Sequence, residues 1–444
     1  MSETLQDWID TEYRYAARAM LRSVSRVDLV KSRPGFAQNI RPRAGSIIAS
    51  PVLASYDPDP DYFFHWYRDS AVVIDALRVL CEDGSIDTEA RTHFADFIAF
   101  SCSLQALDGR ARVDDPTWRA PVADDFVKFL RDDAELAQVH GDAVVAETRV
   151  NPDGTLDISK WTRPQHDGPP LRVLAVLRWL TAQPVDAAVE VQAAALIHDD
   201  LAFTFKSWRA PSFDIWEEEQ GQHYYTLRVS AAALEAGADW FVARDEHEIA
   251  QRYRSEATRI HQALDHFWLD GDGYYRSRLL VAGARSGKEL DIAVILSAIH
   301  VACDTPVTAA HTVADPKMQA TLTRLENLFD TDYAINRGRP EGRGPALGRY
   351  HGDVYYSGGA YYFSTLGAAE FCYRAAQVGI DAHDWIARGD AYLETVRAYT
   401  PASGELSEQF DQHDGRQTSA RHLAWSYAAL ISCVHARRQL RMPG

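Results

Sequence analysis

Apolar residues recur along this chain chiefly at the three-and-four spacing of helices that bury one or more faces. Between Leu171 and Leu180, for example, Leu171, Val173, Leu174, Val176, Leu177 and Leu180 are apolar, with Arg172 and Arg178 interspersed. Comparable helical segments are predicted near 5–24, 70–82, 89–106, 124–138, 187–206, 223–241, 246–268, 289–303, 316–329, 359–378, 383–398 and 419–440. Alternating strand patterns are scarce. The best is a hairpin over Asp270, Gly271, Asp272, Gly273, Tyr274 and Tyr275, where Asp-Gly pairs mark a turn.

Six loops, most of them rich in polar and aromatic residues, stand directly before an apolar helix. They centre near Arg68, Gln165, Glu217, Ser286, Asp353 and Glu408, at gaps of 97, 52, 69, 67 and 55 residues by subtraction. Most gaps fit a helix, a return helix and their turns, so each interval reads as one helical hairpin. Six hairpins can close into an all-α (α/α)6 barrel. The six helices after the loops then run parallel, and the loops gather at one end around a shared pocket. An insertion at about 108–142, polar and acidic with its own short helix, accounts for the long first gap. The expectation is one domain over residues 1–444, with no linker to a separate module before Pro443 and Gly444.

Composition narrows the function more than the fold. Hydrophobic residues make up 46% and charged residues 25%, which is ordinary for a globular protein with a large core. A net charge of −17 opposes binding to nucleic acid and to anionic membranes, and favours a neutral substrate. No run of roughly 18 apolar residues is present, and the segment Ser2–Trp8 lacks the basic start and apolar run of a signal peptide, so a cytoplasmic location is expected. Cys81, Cys102, Cys303, Cys372 and Cys433 are odd in number and widely spaced, as reduced core thiols would be. Nothing in the spacing of the 16 histidines suggests a zinc site, so no metal or cofactor is expected. The stretch Gly283-Ala284-Arg285-Ser286-Gly287-Lys288 fails the spacing of a phosphate loop, because position 282 is Ala and Glu289 follows the lysine. No Gly-x-Ser-x-Gly elbow occurs.

Carboxylates stand out among the loop residues. Phe213-Asp214-Ile215-Trp216-Glu217-Glu218-Glu219-Gln220-Gly221 places three glutamates ahead of an apolar helix, where the helix macrodipole alone would favour them. Trp216 adds an aromatic that such a helix start does not need. Ser407-Glu408-Gln409-Phe410-Asp411 supplies a second loop acid, which taken singly reads as a solvated turn residue. Tyr62-Phe63-Phe64-His65-Trp66-Tyr67-Arg68-Asp69 joins a cation and an anion to several aromatics. A helix-start ion pair explains it, and so does a sugar site, since hydroxyls need fixed donors and acceptors while a pyranose face needs an aromatic platform.

These segments resemble glycoside hydrolase family 15, the glucoamylases, in five motifs in the same order. The Trp-Glu-Glu run is similar to the family's catalytic-acid motif, which implies that Glu217 is the general acid and Glu218 a substrate-binding residue beside Trp216. Ser-Glu-Gln-aromatic-Asp, followed by Ser419-Ala420-Arg421 and Trp425-Ser426-Tyr427, resembles the base segment and gives Glu408 that role. The Tyr62–Asp69 loop resembles the segment around the terminal glucose, so Arg68 and Asp69 would hold hydroxyls while Tyr62 and Trp66 pack beside the ring. Trp161-Thr162-Arg163-Pro164-Gln165-His166-Asp167-Gly168-Pro169 is similar to a further family signature and implies a substrate contact for Trp161. Gly348-Arg349-Tyr350…Asp353-Val354-Tyr355 does the same for Arg349 and Tyr355. Among the departures, Tyr361 stands where the family has a tryptophan lining the site of the second sugar, and His351-Gly352 replaces Pro-Glu.

The resemblance implies an inverting, exo-acting hydrolase that releases β-D-glucose from non-reducing ends of α-glucans. An oligosaccharide or α-glucan is the expected partner. Tyr361 and the insertion keep α-1,6-glucans, isomaltose or trehalose open as substrates, and a sugar-binding protein without catalysis is the alternative of a different class.

Overall fold

The computed structural model of the protein describes residues 4–55, 58–281, 283–302, 310–378 and 381–440. Twelve long helices follow the apolar pattern: α1 (Leu5–Leu21), α2 (Tyr67–Glu82), α3 (Thr88–Leu104), α4 (Gly168–Ala182), α5 (Ala187–Ser207), α6 (Tyr224–Val242), α7 (His247–Leu264), α8 (Ala293–His300), α9 (Pro316–Asp332), α10 (Tyr362–Val378), α11 (Ala382–Tyr399) and α12 (Ala424–Arg438).

Burial separates them into two rings. Helix α8 is buried at every position from Ala293 to Ile299, and α10 is buried almost throughout, as helices enclosed on all sides must be. Helix α7 instead buries Ala250, Tyr253, Ala257, Ile260 and Leu264, one stripe at the three-and-four spacing. The even-numbered helices pack in the order α2, α4, α6, α8, α10, α12 and back to α2, closing the inner ring. Each odd-numbered helix packs outside it, for example α5 on α4, α7 on α6 and α11 on α10. This is an (α/α)6 barrel. Close approach in the inner ring depends on small residues: a side chain at Gly367 of α10 would meet Leu296 of α8 at 2.6 Å.

The loops ahead of the inner helices are tied together in pairs by very short antiparallel strands. His65–Trp66, before α2, pairs with Arg149–Val150, in the loop that leads to α4. Gln220–His223, before α6, pairs with Arg278–Leu280, on the way to α8. Ala360–Tyr361, before α10, pairs with Gln409–Phe410, ahead of α12. Backbone groups at the mouth of the barrel thereby find partners, and each pair of loops is joined through its main chain.

The hairpin forms as the Asp-Gly pairs predict, with Trp268–Leu269 opposite Tyr274–Tyr275 and Gly273 at φ +71° in the turn. One helix prediction needs correction. The segment 124–138 is not a single helix but two short ones, Asp124–Val127 and Asp133–Ala137, separated where Leu130 bridges to Ser159. The break lets Arg131, buried with its side chain 1% exposed, reach Glu147 through two hydrogen bonds of 2.9 and 3.0 Å. Satisfying that buried guanidinium outweighs continuing the helix. Around it the 108–142 segment packs Val122 and Leu130 against Ile158, near Phe36 and Trp118.

Among the described residues no helix is long and apolar enough to cross a membrane, and no group of three or more His, Cys, Asp or Glu is placed to hold a metal ion. Cys81, Cys372 and Cys433 are buried free thiols and Cys102 is a half-buried one. Cys303, the end of the predicted 289–303 helix, position 282, the N-terminal Ser2 and Glu3, and Pro443 and Gly444 fall outside the described residues.

Candidate functional site

The three glutamates do not begin a helix. They occupy a turn between the short strands Ser212–Phe213 and Gln220–His223, and α6 begins only at Tyr224. Asp214 organises the turn: its carboxylate accepts from the backbone N–H of Trp216 (2.8 Å), Glu218 (3.2 Å) and Glu219 (3.1 Å). Arg278, buried beneath, bonds Asp214 at 2.9 Å and also reaches Asp291 and Glu219. Burial pushes the Asp291 carboxyl up to about 6 against the pull of that guanidinium. Glu217 itself has φ +66°, a left-handed conformation uncommon for a residue with a side chain, and the Asp214 network holds it there.

The Glu217 carboxylate is met by three donors from two loops. The Trp66 indole N–H donates to Oε1 at 2.8 Å, Arg68 Nη2 lies 3.3 Å from the same oxygen, and the Trp161 indole N–H donates to Oε2. Trp161 is 39% exposed, and its other support is the Arg149 guanidinium, 3.6 Å from the ring centroid. A large ring propped on one side and open on the other is a platform for a sugar face.

Glu408 is 8% exposed, and Tyr362 donates its backbone N–H to the Glu408 carbonyl. The Ser419 hydroxyl donates to its Oε2, and the Tyr62 hydroxyl lies 3.3 Å from both carboxylate oxygens. Burial pushes this carboxyl up to about 7, partly opposed by the Ser419 hydrogen bond, the Arg349 charge and the Tyr62 hydroxyl. Ser419 is also left-handed, at φ +63°.

Arg68 and Asp69 fall in the first turn of α2, so the helix-start ion pair is real, at 3.2 Å, and it also belongs to the site. Arg68 stands over the Trp425 ring at 5.4 Å and lies 3.5 Å from Asp167. Asp167 is pushed up to about 6 by burial, with Arg68 holding it back.

Arg349 carries the opposite wall. Asp353 clamps it through two hydrogen bonds of 2.7 and 2.6 Å, and the Trp216, Tyr355 and Tyr361 rings each have their centroids 5.4 Å from its guanidinium carbon. Its Nη2 reaches Glu218 at 3.2 Å. Burial alone would raise the Glu218 carboxyl, but Arg349, Lys288 and Tyr350 outweigh it and hold the group below the usual range. Tyr355 closes the circuit through a 2.8 Å hydroxyl–hydroxyl contact with Tyr62. Trp216 stacks on Phe363 (6.0 Å, 22°) and Phe363 on Trp425 (4.4 Å, 9°), a run of packed rings that reaches from Arg349 at Trp216 to Arg68 at Trp425.

All eleven residues singled out in the sequence are therefore brought together: Tyr62, Trp66, Arg68, Asp69, Trp161, Trp216, Glu217, Glu218, Arg349, Tyr355 and Glu408 form one continuous network. Tyr361, where the resemblance has a tryptophan, is enclosed. It is 1% exposed, accepts from Gln409 Nε2 at 2.7 Å and lies 3.4 Å from Asp353, so it presents no open face to a second sugar. Asp167, Ser419 and Tyr350 lie inside quoted motifs but were not singled out. Arg278, Asp291 and Lys288 belong to the site's support through long-range contacts that no local pattern signals.

A family profile described as Glycosyl hydrolases family 15 matches residues 33–106, 145–388 and 381–435, and passes over the 107–144 segment that contains the insertion. A glucoamylase of Blastobotrys adeninivorans is 26% identical, covering 89% of this chain and 68% of that protein. Glucoamylase 1 of Rhizopus oryzae is also 26% identical, covering 98% of this chain and 72% of its own. The solved family 15 glucoamylase of Hypocrea jecorina superposes with a TM-score of 0.77 at 25% identity, over 98% of this chain and 72% of that one. With the profile spanning most of the sequence, this chain belongs to glycosyl hydrolase family 15.

Proposed function

We propose that the protein is an inverting, exo-acting α-glucosidase of the glucoamylase type, which releases β-D-glucose from the non-reducing ends of α-1,4-glucans. One observation carries the reading: two carboxylates from loops 191 residues apart by subtraction, Glu217 and Glu408, are each bonded to one member of the same aromatic pair, Trp66 and Tyr62. Acid–base hydrolysis of a glycoside needs two such groups at one pocket.

In this reading Glu217 gives its proton to the glycosidic oxygen as the bond to the anomeric carbon breaks. Glu408 takes a proton from the water that attacks that carbon from the opposite face. Arg68 and Asp69 hold hydroxyls of the terminal glucose, Trp161 covers its face, and Glu218 with Arg349 receives the leaving sugar. The match to the glycosyl hydrolase family 15 profile, and the likeness to proteins named glucoamylase, support an exo mode. We assign the reaction to one barrel domain with the 108–142 segment as a rim, and to a reducing, cytoplasmic setting on the strength of the free thiols.

Glucose release from maltose, isomaltose, trehalose and soluble starch tests the substrate. Maltose and starch are expected to lead, and a preference for isomaltose or trehalose overturns the α-1,4 assignment.

A further inference from the structure

The segment Gly283–Lys288, which fails as a phosphate loop, lies against the last two glutamates of the 217–219 turn. Ser286 Oγ donates to Glu219 at 2.7 Å, and the Lys288 ammonium donates to Glu218 Oε2, also at 2.7 Å. Lys288 is held on the main chain as well: its N–H donates to Ser286 Oγ and its carbonyl accepts from Ser277 Oγ, both at 3.0 Å. Its ammonium stands 4.8 Å from the Tyr350 ring centroid. A flexible side chain is thus fixed at both ends, and the ordering cost is met before any ligand arrives.

Glu218 is held from the buried side by Arg349 and the Tyr350 hydroxyl, and from the open side by Lys288. The two side chains remain reachable, Lys288 at 30% and Glu218 at 25% exposure. An ammonium has three N–H donors, of which Glu218 takes one here, while a carboxylate keeps lone pairs to accept with. Side by side, they offer a donor and an acceptor at the spacing of neighbouring hydroxyls.

We propose that Lys288 is a specificity-determining residue that donates to a hydroxyl of the leaving sugar beside Glu218, a proposal that rests on the reading of the site as a glucosidase pocket. Lys288→Met and Lys288→Arg are compared with the unaltered protein on maltose and on α-D-glucosyl fluoride, whose leaving group carries no hydroxyl. For Lys288→Met, kcat/KM on maltose should fall about tenfold, as for loss of one charged hydrogen bond, with a loss on the fluoride at least about fivefold smaller. Lys288→Arg should recover maltose activity to within about threefold. The ratio between substrates is read within each variant, so a uniform loss of folded protein cancels. Equal losses on both substrates, an unaffected maltose reaction, or failure of arginine to restore it would each overturn the proposal. An unaltered protein inactive on both substrates sinks the glucosidase reading instead.

Discussion

The Tyr62 and Trp66 rings lie 5.3 Å apart, and their polar atoms serve different acids: the Trp66 indole N–H is 2.8 Å from Glu217 and the Tyr62 hydroxyl 3.3 Å from Glu408. One pair of packed rings at the entrance to α2 thus touches both carboxylates. Its members should be separable by mutation. Trp66→Phe keeps the ring contact but removes the donor to Glu217, and kcat on maltose should fall about tenfold, the order expected for one positioned donor, with a melting temperature within a few degrees of the parent. Unchanged kcat contradicts a role for this bond.

The acids should respond differently to the leaving group. Glu217→Gln and Glu408→Gln should each lower kcat on maltose by about a thousandfold, within the range for loss of general acid–base catalysis. On glucosyl fluoride, which needs no proton on its leaving group, Glu217→Gln should retain far more activity than Glu408→Gln. The reverse order would exchange the two roles.

A base works only when ionised, so a Glu408 carboxyl pushed up to about 7 by burial implies that kcat/KM falls as pH drops through about 7. Ser419→Ala and Tyr62→Phe remove donors that favour the ionised form, so each should move this acid limb upward by about half a unit or more. A downward movement contradicts the assignment.

Stability should carry the same signature. Because folding raises this carboxyl from 4.5 to about 7, its favourable contribution is complete below about 4.5 and lost as pH rises through about 7. Glu408→Gln should therefore raise the melting temperature relative to the parent at pH 8 more than at pH 4. No pH dependence in that difference would show that Glu408 is not held as described.

Arg131 ties the insertion to the segment bearing Trp161. Its Glu147 partner is also bonded by Arg163 at 2.7 Å, and the Lys160 N–H donates to Phe129 at 2.7 Å. Arg131→Met leaves a buried carboxylate with less compensation and should cost about 3–5 kcal/mol in denaturant unfolding, with a raised KM for maltose. Full stability with unchanged KM would make the insertion an independent ornament.

Much of this was legible in the sequence, for identifiable reasons. Helices such as α4 and α8 carry strong apolar patterns, and most of the loops before the inner helices repeat at hairpin spacing, which is compatible with closure into a barrel. Glu217 and Glu408 were legible through their motifs, although as isolated acids they read as a helix start and a solvated turn. What stayed hidden depends on partners distant in sequence. The left-handed turn at Glu217 is imposed by Asp214 and Arg278, 64 residues apart by subtraction, and the break at 128–132 by the need to pair buried Arg131 with Glu147. Tyr361 was legible in part for a similar reason: its substitution is visible in the sequence, but its burial against Gln409 and Asp353 is not.

The central claim is that Glu217 and Glu408 act in a single displacement with inversion. Proton NMR of the sugar released in the first moments of maltose hydrolysis tests it most directly, before mutarotation mixes the anomers. β-D-glucose as the first new anomer is the expected result, and α-D-glucose would contradict the account.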